Sequence, residues 1–208
     1  MNNRILGFKT LKKGASATVE LGHPAATAFT SNTPDDGGAS ASSLAGPFGI
    51  GIDSKNRIWV ADSMNSRVVR FDSKFHNGDP AVLVLGRADF TQTFANQNLG
   101  TATAATLNSP QGIYVRNSGD VWVGDTANNR NLRFLSTFKN GMDSIMVLGQ
   151  PDFAHNQVNQ GNADPSDETE NNPFGAVPLI AGPSLIALTV LGGLAGGRRW
   201  LQRFKMRA

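Results

Sequence analysis

The chain repeats itself at an interval of 63 residues. Residues 44–90 and 107–153 align without a gap, with 20 identities in 47 positions. Asn65-Ser66-Arg67 returns as Asn128-Asn129-Arg130, and Asn2-Asn3-Arg4 echoes both at the same spacing. Phe8, Phe71 and Phe134 keep the interval, as do Pro47 and Pro110, Trp59 and Trp122, and Asp62 and Asp125. The first copy is one residue different: Leu21-Gly22 stands 64 before Leu85-Gly86, which stands 63 before Leu148-Gly149. Such a period marks a supersecondary unit that cannot bury its own faces and must stack on its neighbours.

Within one period the pattern is that of short strands. Residues 48–52 (FGIGI), 57–61 (RIWVA), 67–71 (RVVRF) and 81–85 (AVLVL) are apolar and β-prone, with turns at Asn56 and Asn77-Gly78. The next period predicts strands at 111–115, 120–124, 130–134 and 144–148, with Asn140-Gly141 in the turn. Four antiparallel strands per period describe a propeller blade, and Gly/Asn/Thr/Ala-rich stretches such as 86–109 connect the blades. The expected fold is therefore all-β: a partial blade over 1–43, then blades over 44–106 and 107–153.

These residues resemble NHL repeats. The resemblance rests on Pro47-x-Gly49-Ile50, IWVADSMNSRVVRF at 58–71 and PQGIYV…VWVGDTANNRNLRF at 110–134, and covers roughly residues 2–160. VLGRADF (84–90) and VLGQPDF (147–153) look like a bacterial long-blade version of that family. The resemblance implies a β-propeller used mainly for binding or scaffolding, with some lyases and lactone hydrolases among related propellers.

About two and a half blades fall short of the four to eight a propeller needs. The shortfall predicts self-association, a degraded gene product, or a misplaced start. Met1 holds the repeat position of Met64, so the sequence begins inside a motif, and the reading favoured here is an internal methionine within a longer frame.

The C-terminal part has a different composition. Residues 154–176 contain no Lys or Arg and are rich in Asn, Gln, Asp and Glu, which predicts a solvated polar acidic linker. Residues 177–197 carry no charge, and as a helix 21 residues span about 31 Å against a hydrocarbon core of about 30 Å. Arg198, Arg199, Arg203, Lys205 and Arg207 follow. The expectation is a transmembrane helix over 177–197, a basic cytoplasmic tail over 198–208, and blades outside the membrane. The arrangement resembles a PEP-CTERM-type sorting tail, with Val177-Pro178 as the short motif and Arg198-Arg199 as the basic end. Leu179-Ile180 replaces the usual Glu-Pro, and the chain runs nine residues past the arginines. The resemblance implies cleavage near Val177-Pro178 by an exosortase-like membrane enzyme.

Charge and residue chemistry restrict function. The formal net charge is +3, but without the five C-terminal cations 14 basic residues stand against 16 acidic, a net of −2. The body therefore lacks the basic excess of a nucleic-acid binder. With no cysteine there is no disulfide, thiolate metal site or cysteine nucleophile. His23, His76 and His155 have no metal-ligand spacing and are expected in loops. Asp35-Asp36-Gly37-Gly38 offers too few carboxylates for a dedicated calcium site. Asp62, Asn65 and Arg67, with Asp125, Asn128 and Arg130, recur in each blade. Recurrence predicts a structural signature, with Asp accepting backbone N–H bonds and Arg pairing with it or with carbonyls. Trp59 and Trp122 are expected to pack between blades.

The functional expectation is an extracytoplasmic binding or scaffold module, anchored in the membrane or sorted to the cell surface, with protein or polysaccharide as partner and no cofactor. Its binding surface is expected on inter-blade loops such as 86–109 and at the channel mouth. The alternative is a fragment of a propeller lyase or hydrolase whose catalytic blades lie elsewhere. An RNA-binding role, as in some animal NHL proteins, conflicts with the body charge.

Overall fold

The structure, a computed structural model, describes residues 2–171, 173–181 and 184–191. Two four-stranded antiparallel sheets carry the repeat. The first, blade A, contains β3 (Pro47–Ile52), β4 (Ile58–Asp62), β5 (Arg67–Phe71) and β6 (Leu83–Leu85) in sequence order. The second, blade B, contains β7 (Gly112–Val115), β8 (Val121–Asp125), β9 (Arg130–Phe134) and β10 (Met146–Leu148), again in sequence order. A two-stranded antiparallel sheet, β1 (Ile5–Gly7) and β2 (Val19–Leu21), precedes them. The strands thus fall where the repeat predicts them, and the fold is all-β and propeller-like.

The strand alternation explains the stacking. In blade A, Ile58, Val60, Val69, Phe71 and Val84 point one way and pack with Leu44 and with Leu21 of the preceding copy. Trp59, Val68, Leu83 and Leu85 point the other way and join Leu107, Val121, Val123, Leu132 and Phe134. Successive side chains on a strand face opposite sides, so β4 and β5 are buried on both. Trp59 is fully buried, and its ring lies 4.7 Å from that of Phe138 in blade B, tilted by 60°.

Glycine allows the inner strands to approach. A Cβ on Gly49 would stand 2.1 Å from the Gln111 carbonyl oxygen, and one on Gly51 would meet the Ile113 and Val115 side chains at 3.0 and 3.1 Å. The Asn-Gly turns fasten the outer strands. Asn77 Oδ1 accepts from Glu20 N at 2.9 Å while Gly78 N donates to Glu20 O at 3.1 Å. One period on, Asn140 Oδ1 accepts from Val84 N at 3.0 Å and Gly141 N donates to Val84 O at 3.1 Å.

Two expectations meet a different outcome. Within the stretch expected as a solvated linker, 154–176, most of 154–168 is exposed, but part of its backbone repeats the inter-blade connection and 173–176 are strand. Asn159 and Gln160 take φ of 49° and 55°, matching 48° and 54° at Asn96 and Gln97 one period earlier. Glu170 lies under Gly149 as Leu107 lies under Gly86. Its acidic composition hid a repeat whose contacts come largely from backbone conformation.

The second difference concerns the expected transmembrane helix over 177–197. Its described part forms strands: β11 (Pro173–Ala181) pairs antiparallel with β12 (Ser184–Leu191). Among the described residues no helix is long and apolar enough to cross a membrane. Val, Ile, Leu and Thr serve strands as well as helices, and Pro173 stands 63 residues after Pro110. Thr126 Oγ1 donates to Pro173 O at 2.9 Å, the bond Ser63 makes to Pro110 O one blade earlier. β11 lies against β7 and β8 as β7 lies against β3 and β4. His23 lies in a loop as expected, after β2, and is fully buried there, bonded through Nδ1 to Glu20 Oε1 at 2.5 Å.

Gly49→Ala is expected to lower the unfolding free energy by about 1–3 kcal/mol, since its methyl enters the Gln111 backbone rather than a yielding side chain. Urea unfolding followed by Trp fluorescence measures it.

Candidate functional site: the connection 86–109 and the clusters that hold it

The six repeated polar residues form two fully built, buried clusters. Asp62 Oδ1 accepts the Ala45 N–H at 2.7 Å, and its Oδ2 accepts Asn65 Nδ2 at 2.8 Å and Arg67 Nε at 2.7 Å. Asp125 repeats this with Asn108 N at 2.7 Å, Asn128 Nδ2 at 2.8 Å and Arg130 Nε at 2.7 Å. All four members of the two ion pairs have side chains without exposure. Burial pushes both carboxyls above the ordinary value, and the arginine charge, the Asn amide and the backbone N–H oppose that push.

Each arginine also reaches out of its own blade. Arg67 Nη2 donates to Ser40 O at 3.0 Å and Ser43 O at 2.8 Å, and Nη1 donates to Phe90 O. Arg130 Nη2 donates to Thr103 O and Thr106 O, both at 2.9 Å, and Nη1 to Phe153 O. The sequence reading expected each Arg to pair with an Asp or with a carbonyl within the blade; the arginines do both at once, and which carbonyls they reach carries no side-chain signature. Asp35 is likewise a cluster member: its Oδ1 accepts from Asn65 Nδ2 at 2.8 Å and Ser43 Oγ at 3.1 Å.

Connection 86–109 is therefore gripped from both blades. Arg67 holds Phe90, Arg130 holds Thr103 and Thr106, and Asp125 holds Asn108. Asn96 and Asn128 exchange reciprocal amide bonds at 3.0 and 2.8 Å. Buried Arg87 donates to Asn65 O from Nε at 3.2 Å and from Nη2 at 3.0 Å. Burial, then the nearby Arg67 charge, brings Arg87 down to about 10. Above this fixed base, Phe94 is 69% and Leu99 60% exposed.

A second feature is a polar hollow of about 450 Å³ between the β3–β4 and β7–β8 turns. Asp53 Oδ2 accepts Arg57 Nε at 2.7 Å and the Trp59 indole N–H at 3.2 Å, and Arg70 lies 5.5 Å over the Trp59 ring. Burial raises the Asp53 carboxyl, but the Arg57 N–H and guanidinium, the Trp59 N–H and the Lys55 N–H outweigh it, so the net displacement is downward. Among the described residues no group of three or more His, Asp or Glu side chains is placed to hold a metal ion.

Of the residues singled out for sorting, Val177 and Pro178 stand in β11, in register with Leu188 and Ala187 of β12. Arg198 and Arg199 lie outside the described residues.

Arg67→Gln is expected to cost about 3–5 kcal/mol, because it leaves Asp62 buried without its charge partner. Arg87→Gln should stay within about 1 kcal/mol of the parent: Gln150, its counterpart in blade B, donates to Asn129 O at 3.0 Å in the adjoining position. Chemical denaturation of the two variants checks the contrast. Asp53 gives a pH signature. Its folded value lies below the unfolded one, so its contribution is present above the unfolded pKa and lost as pH falls through the folded pKa. The stability gap between the parent and Asp53→Asn should therefore shrink between about pH 6 and about pH 2.

Residues 44–71 match the family profile described as NHL repeat. No curated protein matches the chain. The chain thus contains an NHL repeat within an all-β, propeller-like fold, the architecture of a protein-binding module.

Proposed function

We propose that the chain is an extracytoplasmic binding module that recognises protein through connection 86–109, with Phe94 and Leu99 as the principal contact side chains. The observation that carries this reading is their exposure, 69% and 60%, on a connection locked from beneath by Arg67, Asp125, Asn128 and Arg130. Large apolar side chains on a pre-ordered base bind with little ordering cost, and loops on rigid scaffolds carry recognition. Polysaccharide is the alternative partner class, and the polar hollow around Asp53, Arg57 and Arg70 is the surface that suits it.

A second reading, favoured by the uncharged run 177–197 and the five cations after it, places the module at the cell surface through a membrane helix or a sorting tail. A lone hairpin leaves unpaired strand edges in lipid, so a spanning form of this run is helical. It excludes the β11–β12 pairing.

Phe94→Ser/Leu99→Ser should abolish capture of the partner protein from cell-envelope extract while leaving the unfolding midpoint unchanged. Capture that persists in this variant contradicts the assignment. For the second reading, resistance of the full-length chain to alkaline carbonate extraction from native membranes is the supporting result, and release into the supernatant opposes it.

A further inference from the structure

The polar hollow between the blades contains an arginine whose counterpart one period later has an acid partner that it lacks. In blade B, Arg133 donates to Asp120 Oδ2 from Nε at 3.2 Å and from Nη2 at 2.6 Å. One period earlier Arg70 stands in the place of Arg133, but Arg57 stands in the place of Asp120. The acid of blade A has moved to Asp53, in the place of Arg116. There it accepts from Arg57 Nε, from the Trp59 indole N–H, and from the backbone N–H groups of Lys55 and Arg57 at 2.9 and 3.0 Å. The exchange gives the carboxylate to Arg57 and leaves Arg70 without one.

Arg70 Nε is buried and has no hydrogen-bond partner among the described residues. Its Nη2 lies 3.9 Å from Asp72 Oδ1, but the Asp72 side chain is 61% exposed, and such a surface pair contributes little. The rest of the side chain is held in place, since Arg70 stands opposite Trp59 in the β4–β5 register and lies over its ring. Burial, then the Arg57 charge, pulls Arg70 below its ordinary value, against the opposite pull of Asp72 and Asp53. A buried donor without a partner carries its full desolvation cost, and a ligand that bonds it recovers that cost.

The space in front of this donor suits a small anionic ligand. At about 450 Å³ the hollow falls in the range of small-molecule sites. Among its described lining residues Lys55, Arg57 and Arg70 stand against Asp53 alone. Blade B supplies Asn117, Ser118 and Ser136, with no further charge. A planar guanidinium matches a carboxylate in a two-bond fork. A carboxylate alone would fill a small part of the hollow, and the amide and hydroxyl groups along the remainder both donate and accept, as sugar hydroxyls do.

We infer that this hollow binds a carboxylated sugar unit, whose carboxylate sits on Arg70 as that of Asp120 sits on Arg133, and whose hydroxyls meet Asn117, Ser118 and Ser136. The inference narrows the polysaccharide alternative above to an acidic polysaccharide and rests on that alternative. It is independent of what connection 86–109 binds.

The test follows the arginine Nε–Hε resonances of the purified full-length chain by NMR during titration with glucuronate, glucose, acetate and inorganic phosphate at one ionic strength. Glucuronate should shift the Arg70 and Arg57 resonances saturably and leave those of Arg67 and Arg130 in place. Glucose should shift none, and acetate and phosphate should bind about tenfold more weakly than glucuronate or worse. Arg70→Gln should weaken glucuronate binding about tenfold or more. Lys55→Ser changes an exposed side chain to the residue found at Ser118, and should weaken binding about two- to fivefold with the unfolding midpoint unchanged. Absence of a saturable glucuronate shift overturns the inference, as does glucuronate binding indifferent to both variants. Acetate binding as tightly as glucuronate, the result expected of an acidic protein side chain as ligand, also overturns it, and so does tighter binding of phosphate. Loss of Phe94-dependent protein capture with these shifts intact would sink the reading of connection 86–109 alone.

Discussion

A buried ion pair, used twice, holds this fold together. Removing a carboxylate and a guanidinium from water costs several kcal/mol, and the pair alone recovers that only with further hydrogen bonds. Asp62 and Asp125 each accept three, and Arg67 and Arg130 donate through Nε, Nη1 and Nη2 to partners in three different segments. A planar guanidinium suits this because its five N–H groups leave in fixed directions. A lysine could satisfy the charge but not the geometry. The return on the desolvation cost is positional: a blade cannot close its β4–β5 or β8–β9 turn without also fixing the connections before and after it.

That coupling explains how long stretches with little regular secondary structure can be ordered. Apolar contacts stack the blades through Trp59, Val68 and Leu85 against Leu107, Leu132 and Phe134, but they act at the sheet faces. The connections have few such side chains to bury. Their order comes from arginine and asparagine bonds to backbone carbonyls and amides, so their outward side chains are not needed to hold them. Phe94 and Leu99 follow from that division of labour, which keeps the base polar and buried and lets these two large apolar side chains stand exposed.

Where the repeat pairs chemically similar residues, the sequence made the fold legible. Pro47 with Pro110, Trp59 with Trp122 and Asn77-Gly78 with Asn140-Gly141 located strands and turns to within a residue or two. It was opaque where position is kept and chemistry is not. His23, Arg87 and Gln150 occupy one place in three copies, and the changed spacing of 64 in the first copy separated His23 from its counterparts. Glu170 stands where Leu44 and Leu107 stand. Asn131, in the place of Val68, supplies its amide partner at 2.6 Å. That exchange turned an apolar contact into a polar one and made a partial repeat of the connection read as a linker. For the same reason Pro173, Thr169 and Asn171 were not recognised as the continuation of Pro110, Thr106 and Asn108. The carbonyls of Ser40, Ser43, Thr103 and Thr106 left no trace in the sequence at all, because every residue has one.

Bonds from both flanking blades should hold connection 86–109 as firmly as the strands it joins. Native-state hydrogen exchange reads this residue by residue. The Asn108 amide donates to Asp125 at 2.7 Å and the Asn96 amide to Leu107 O at 3.0 Å. Both should exchange only through global unfolding, with the same free energy as the amides of β8 and β9. Exchange of these two amides at the rate of an open loop, while β8 and β9 stay protected, would show that the connection is not held by these bonds.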